Sequence, residues 1–325
     1  MPLEWLRRLV KSVQQLLRIR WVRWGAQLVV VVVSLAYLSA RVNGVSDFVR
    51  SRPIGYIWLV WALVLAVVDV FVGALAWCLI LRGFSQPVGL LDGTKVHIYT
   101  NLAKYVPGYA WQMVGKAYST SQIGVSPRII AAAMAFELVD LVVLGLGLSL
   151  SINPQIGLLP GAQAAGWTVL LRAVGLVILA AAFLAVPIAS AFLKRRLGTM
   201  VQGPLFEAIV LSLGGWLLMG LTFWLVGLAV IPLSISVLPL FINALIVSVL
   251  AGLAVVFVPG GIGVRESIMV LILSPIISAP AAIIVAALSR VILVMSDFSA
   301  ALVLRLVQGL VGDRPAFHNN DSPPA

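Results

Sequence analysis

The chain has 325 residues, 62% of them hydrophobic and only 10% charged, with a mean hydropathy of +1.10. Soluble domains run nearer half apolar and a quarter charged, so this composition excludes one and indicates an all-α polytopic membrane protein. The net charge of +11 sits mainly at the ends of apolar runs, as topology signals do, which makes anionic lipid headgroups the expected partner and excludes nucleic acid.

Residues 1–23 form a basic N-terminal segment. Within it Leu6, Leu9, Val10, Val13, Leu16 and Leu17 share one helical face, while Arg7, Arg8, Lys11 and Arg18 fall largely elsewhere. Two readings stand: an amphipathic helix lying on the cytoplasmic leaflet, or a positive-inside flank that needs no ordered helix. Both put the N-terminus in the cytoplasm. The apolar run that follows lacks the small-residue cleavage site of a signal peptide.

The membrane domain is read over 24–312, with full spans predicted at 24–40, 54–81, 129–152, 167–193, 208–231 and 281–304. Two further segments, 87–106 and 239–258, run into Pro-Gly breaks, at Val106-Pro107-Gly108 and Val258-Pro259-Gly260. Pro removes a backbone donor and Gly costs helix stability, so a helix arriving there should stop. In lipid such a break is tolerated only against protein or a polar cavity. Lys194-Arg195-Arg196 marks the cytoplasm in mid-chain, and the uncharged stretch 153–166 belongs outside. The loop 41–53 conflicts in part, since Arg41, Arg50 and Arg52 fall outside. Six basic residues before the first span outweigh them. The polar, proline-containing tail 313–325 is read as disordered and cytoplasmic.

The prolines repeat. Pro87, Pro107 and Pro127 are twenty residues apart, and Pro239, Pro259 and Pro280 reproduce that spacing within one residue. Ten residues after the third proline comes an ionisable residue in an apolar run, Glu137 in one half and Arg290 in the other. The repeating unit is a span, a helix ending at Pro-Gly, a short helical piece and a second span, over about 54–152 and 206–304. If each broken segment enters and leaves on one side, the repeats are inverted, and the two breaks are expected to meet at mid-membrane as in many transporters.

Charges within the spans are costly, so they pair and mark function. The candidates are Asp69, Glu137, Asp140, Arg290 and Asp297, with Lys104, Arg265 and Glu266 at the breaks. Glu137 and Asp140 share a helical face, as do Arg290 and Asp297. One reading makes Glu137 and Arg290 an ion pair that locks the halves together. The other makes Lys104, Arg265 and Arg290 a cationic site for a lipid phosphate, which Arg suits through bidentate hydrogen bonds. Gly260, Gly261 and Gly263 would let backbone N–H groups approach an anion, with Val264-Arg265-Glu266 opening a short helix, or they serve only a tight turn.

Several chemistries are excluded. The single Cys78 offers no disulfide or thiolate metal site, and two histidines exclude a histidine metal cluster, leaving His97 as a polar contact. No nucleotide loop, dinucleotide fingerprint or catalytic triad signature is present, so no catalytic residue, metal or cofactor is expected. The tryptophans, Trp58, Trp61, Trp167 and Trp216 among them, fall mostly near predicted span ends and are expected to anchor at the interface.

Lys104-Tyr105-Val106-Pro107-Gly108 with Trp111 and Gly115, the span bearing Glu137, then Pro259 to Glu266 and Arg290, together resemble the lysylphosphatidylglycerol synthase transmembrane family. That family includes the flippase domain of the multiple peptide resistance factor. The resemblance covers nearly the whole chain and implies movement of a phospholipid or lipid-linked precursor between leaflets of the cell membrane. It implies a substrate site at Lys104, Pro107, Gly108, Trp111, Glu137, Asp140, Gly260, Gly261, Arg265, Glu266 and Arg290. The synthase members carry a cytoplasmic aminoacyl-transferase domain, whereas only a short tail follows Arg305 here, so aminoacylation is not expected. Two other functions stand beside it: a membrane-embedded transferase for a lipid-linked substrate, for which Asp92 is thin support, and a lipid-binding accessory subunit. Self-association as a homo-oligomer is left open.

Overall fold

The chain is seen in a computed structural model that describes residues 32–34, 36–40, 44–51, 53–105, 111–152, 165–198, 200–255, 261 and 263–311. Among these the structure is helical, without strands. We number the helices α1 (Val45–Ser51), α2 (Tyr56–Gly83), α3 (Leu90–Asn101, continued by a 3-10 turn over Leu102–Tyr105), α4 (Trp111–Gln122), α5 (Pro127–Ile152), α6 (Ala165–Leu197), α7 (Gln202–Val230), α8 (Leu238–Ala254), α9 (Val264–Leu273) and α10 (Ala279–Val311). Both stretches that contain the Pro-Gly pairs fall where one helix ends and another begins.

Six of the described helices are long and apolar enough to cross a membrane: Tyr56–Gly83, Pro127–Ile152, Trp167–Phe192, Gln202–Val230, Ile235–Ala254 and Ala279–Leu310. This is a multi-pass membrane architecture. Five of them coincide with expected spans. The expected first span, 24–40, lies mostly outside the described residues, which are helical at 32–34 and 36–39. The sixth, 235–254, overlaps the segment expected at 239–258 to run into the second break, and it is long enough to cross by itself. Its counterpart α3 is not. It has 12 residues, about 18 Å of helix, and carries Asp92, Lys95 and His97. The loop 41–53 also contains a helix, α1.

The framework is the pair α2 and α7, the most extensively packed helices in the molecule. They run antiparallel along their whole length: the Gly55 N–H donates to the Ala229 carbonyl at 2.8 Å, and the Val201 N–H donates to the Gly83 carbonyl at 2.9 Å. Small residues let the backbones approach, as membrane helices require in the absence of a hydrophobic drive between them. Ala62, Ala66, Ala74, Ala208 and Ala229 are all buried. Midway along both helices, a Cβ on Gly215 would stand 3.2 Å from Asp69 Oδ1.

Each of these two helices is followed by one that turns back along it. Gly93 of α3 lies against Cys78, His97 Nε2 would meet a Cβ on Gly73 at 3.2 Å, and Ala74 and Ile98 share one small apolar cluster. Lys104 ends this run within electrostatic range of Asp69, so α3 stops level with the middle of α2. The chain then returns in α4: Gln112 Nε2 donates to Asn101 Oδ1 at 2.9 Å, Gly115 faces Thr100, and Val125 packs with Phe84 and Val88 near the end of α2. In the other half, Phe241 and Ile242 of α8 seat on Gly227 and Gly220 of α7. Leu250 and Trp216 both meet Gly145, so α8 also nears its end at the middle of its partner. α9 returns from there, packed on α8 and α10.

The closing helices α5 and α10 each lean on the other half, α5 on α8 and α10 on α2 and α3. α6 packs on α5, where the backbones touch at Gly147 and Gly175 (2.7 Å from an added Cβ on Gly175 to the Gly147 carbonyl oxygen). Its other faces, with Val169, Val177 and Ile188, are exposed, as suits a helix bathed in lipid. Trp216 corrects one expectation: it is buried at the middle of α7, filling the space that Gly145 leaves, and anchors nothing at an interface. Trp58, Trp61 and Trp167 are exposed near helix starts.

Candidate functional site

Two polar clusters lie inside the helical framework. The first belongs to one half alone and draws one side chain from each of its four helices: Trp77 (α2), His97 (α3), Lys116 (α4) and Glu137 (α5). Lys116 Nζ contacts Glu137 Oε1 and Oε2 at 2.5 and 2.7 Å, lies 3.3 Å from His97 Nδ1, and stands 3.8 Å above the centre of the Trp77 ring. The Lys116 side chain is only 8% exposed. A buried ammonium is tolerable only with its charge matched and its donors used, and here a carboxylate, an imidazole and an aromatic face surround it.

The second cluster sits where the two halves meet. Asp297 of α10 is its hub, with a side chain only 4% exposed. Asn101 Nδ2 donates to its Oδ1 at 2.7 Å, and the Tyr105 hydroxyl donates to its Oδ2. Lys104 Nζ pairs with the same Oδ2 at 2.7 Å while remaining 34% exposed. The Tyr105 ring stacks on Phe298, which fixes the hydroxyl. All three partners come from the last turns of α3 and its 3-10 extension, so the first broken helix ends on a carboxylate of the opposite half. Arg265 and Arg290 lie within electrostatic range of both Lys104 and Tyr105, and Asp69 within range of Lys104 and Asp297.

The second half supplies the far wall. Arg290 Nε pairs with Glu266 Oε1 at 3.1 Å, and Glu266 Oε2 accepts from the Gly263 N–H at 2.7 Å. Glu266 therefore caps the start of α9 and holds Arg290 at once, as an acidic residue in the first turn of a helix does well. Gly261 (φ +65°) and Gly263 (φ +85°) take backbone conformations that side chains disfavour. Arg265 lies across Gly252 and Gly261, where a Cβ on Gly252 would stand 2.8 Å from its Cγ. The expected short helix does open at Val264. The anion at its N-terminus is the chain's own carboxylate.

These pairings correct one expectation. Glu137 and Arg290 do not pair with each other: Glu137 pairs with Lys116, and Arg290 with Glu266. Glu137 and Asp140, which share a helical face, differ in setting: Glu137 pairs with Lys116 and is partly exposed, while Asp140 is buried. Of the expected site, Lys104, Arg265, Glu266 and Arg290 are brought together. Gly261 borders Arg265, and Trp111 is 54% exposed at the start of α4. Pro107, Gly108 and Gly260 lie outside the described residues. Asp92 is partly exposed, 3.9 Å from Lys95 in its own helix.

Lys116 and Asp297 are the buried charged positions that sequence reasoning undervalued. A signal for the first exists: Trp77, His97, Lys116 and Glu137 recur every 19 to 21 residues, the period of the helical unit. No protein-family model matches the chain, and no curated protein matches it significantly.

Proposed function

We propose that this chain is a lipid flippase or translocase that carries a phospholipid or lipid-linked precursor between leaflets, gripping the headgroup phosphate at the junction of its two halves. One observation carries this reading. Three cations gather where two interrupted helices end, midway along the long helices: Arg265 and Arg290 both lie within electrostatic range of Lys104. Arginine offers a planar fork to phosphate and lysine a point charge, so the set suits an anionic headgroup. The same reading treats the chain as a relative of the lysylphosphatidylglycerol synthase transmembrane family.

In this reading the halves are inverted repeats, each with a re-entrant hairpin, α3–α4 and α8–α9. The support is the antiparallel pairing of α2 with α7 and the return of α3 and α8 to the middles of those helices. Hairpins that follow opposite ends of an antiparallel pair enter the bilayer from opposite sides, and their interrupted backbone lines a shared polar site. Arg82, Arg128, Lys194 and Arg305 all fall toward the end of the molecule at which α2 finishes and α7 begins. The positive-inside rule makes that end cytoplasmic, in the cell membrane. The first hairpin then opens to the cytoplasm and the second to the outside.

The test is reconstitution of the full chain in phosphatidylcholine liposomes carrying traces of fluorescent phosphatidylglycerol, phosphatidylethanolamine or phosphatidylcholine. A membrane-impermeant reductant bleaches the outer leaflet only. Bleaching of the inner-leaflet phosphatidylglycerol pool at a rate that depends on Arg290 is expected. Protein-free rates for every lipid would reject the reading.

A further inference from the structure

We propose that Asp297 couples transport to protons: the lipid phosphate takes Lys104 from Asp297, Asp297 takes up one proton from water, and the two cross together. This rests on the transport reading above. The argument starts from accessibility. Lys104 is about a third exposed and Asp297 almost wholly buried, although they touch at 2.7 Å. An incoming phosphate therefore meets the ammonium from its open side, while the carboxylate stays where it is. Among the described residues Lys104 is the cation in contact with Asp297, and its other partners, Asn101 and Tyr105, are neutral donors.

Once Lys104 has turned to the phosphate, the buried carboxylate has lost its countercharge. Low-dielectric surroundings then favour its neutral form. The groups that face it are mixed. Asp69 on α2 adds a like charge, while Arg290 on its own helix and Arg265 on α9 are drawn to the same phosphate, and Glu266 stays beside Arg290. Asp297 Oδ2–H can then donate to the Tyr105 oxygen, because a phenol both donates and accepts. The balance is simple: one phosphodiester charge enters, one proton joins Asp297, and the loaded site carries no more charge than the empty one.

The second half shows why the proton goes to Asp297. Glu266 keeps the Gly263 N–H and the start of α9 when Arg290 swings away, so it remains compensated. Asp297 has no helix terminus behind it, lying well inside α10.

The experiment has two arms. In phosphatidylcholine nanodiscs with weak buffer and a pH indicator, phosphatidylglycerol is added to the full chain, with soluble glycerol phosphate and extra phosphatidylcholine as parallel additions. About one proton taken up per bound phosphatidylglycerol is expected, and none in Asp297→Asn, which keeps the shape and a hydrogen-bonding oxygen. In liposomes, one proton per lipid means that a gradient of one pH unit shifts the leaflet ratio about tenfold at equilibrium. A potassium-diffusion potential should leave that ratio unchanged. Phosphatidylglycerol movement that ignores the pH gradient, without proton uptake, overturns the coupling and leaves the transport reading intact. Failure of any lipid to move overturns both, and proton uptake with glycerol phosphate but no lipid assigns the site to a soluble phosphate instead. The wild-type results decide alone if Asp297→Asn fails to fold.

Discussion

Both halves join their short helix to their closing helix through one salt bridge, but with the charges exchanged, so that the cation is the more buried partner in one and the more exposed in the other. In the first half a lysine on α4 meets a glutamate on α5. The ammonium is sealed between His97 and Trp77, with its side chain 8% exposed. In the second, a glutamate on α9 meets an arginine on α10, and the guanidinium side chain is 30% exposed beside the junction of the halves. The interiors differ in the same sense. Around Lys116 lie Trp77, His97 and Glu137 from the other three helices of its half, whereas the helices behind Glu266 bury Phe223, Phe241, Leu245 and Met269. A sealed pair holds helices together, and a half-open one is available to a ligand.

The largest effect that tests this contrast is loss of Lys116. Lys116→Ala leaves Glu137 without its cation and vacates the space under Trp77. Removing one partner of a buried pair costs about 3–5 kcal/mol, and because the Glu137 side chain is 31% exposed the lower end is expected. A strongly lowered unfolding midpoint in detergent is expected, along with loss of transport through loss of fold. Lys116→Met with Glu137→Gln should recover most of the midpoint and the transport, because nothing charged is left buried. A double variant that is stable but inactive would move this pair from scaffold to site.

Next comes the second pair. Arg290→Ala strands Glu266, yet that carboxylate keeps its bond from the Gly263 N–H and is itself 17% exposed in its side chain. The cost should be smaller, about 1–3 kcal/mol once solvent screening is allowed for. Arg290→Ala with Glu266→Ala should regain part of that stability and remain inactive in lipid movement. Full activity in this double variant would equate the two pairs and remove Arg290 from the site.

How much of this was legible in the sequence follows from what kind of signal each part leaves. Proline spacing divided the chain where α3 gives way to α4 and α8 to α9, and it ordered the helices on either side; Pro107 and Pro259 themselves lie outside the described residues. The same spacing marked Glu137 and Arg290 as equivalent, but equivalence under a repeat relates places, not contacts, and so it could not name Lys116 or Glu266 as their partners. Lys116 lies in a mixed stretch, Trp111–Gln122, which reads as an unremarkable polar helix until folding brings Trp77, His97 and Glu137 around it. Asp297 is conspicuous in an apolar run. Its three partners are nearly 200 residues away, beyond the reach of any local pattern. The start of α8 was legible too: its Pro239 sits in the first turn, where proline starts a helix and does not break one.

A smaller effect sharpens the contrast at the second break. Gly252→Ala would place a methyl group 2.8 Å from Arg265 Cγ and 2.9 Å from Nε. Overpacking of this kind costs about 1–3 kcal/mol, and a long side chain can yield, so the lower end is expected. Displacing Arg265 should weaken phosphatidylglycerol movement more than it lowers the unfolding midpoint. Gly145→Ala, which meets the Trp216 ring at 3.0 Å, should do the reverse, because it strains packing between α5 and α7 with no cation nearby.

The smallest effect separates the two seams that tie one half to the other. One is charged, where the end of α3 meets Asp297. The other is neutral and buried, where Ser149 Oγ of α5 donates to Asn243 Oδ1 of α8 at 2.8 Å, and Asn243 Nδ2 reaches back to the Ser149 carbonyl at 3.4 Å. Ser149→Ala removes the first of these bonds and keeps the second. Hydrogen bonds between membrane helices average about 0.6 kcal/mol, since each partner finds a substitute in the alternative state. A shift of the unfolding midpoint near the limit of detection is therefore expected, with phosphatidylglycerol movement unchanged. In the proposed cycle the charged seam opens when a phosphate takes Lys104, whereas the Ser149–Asn243 seam is buried and holds no charge for a phosphate to draw away. If Ser149→Ala slowed movement as much as a change at Lys104, both seams would be moving parts and the second half could not be the passive wall against which the first one works.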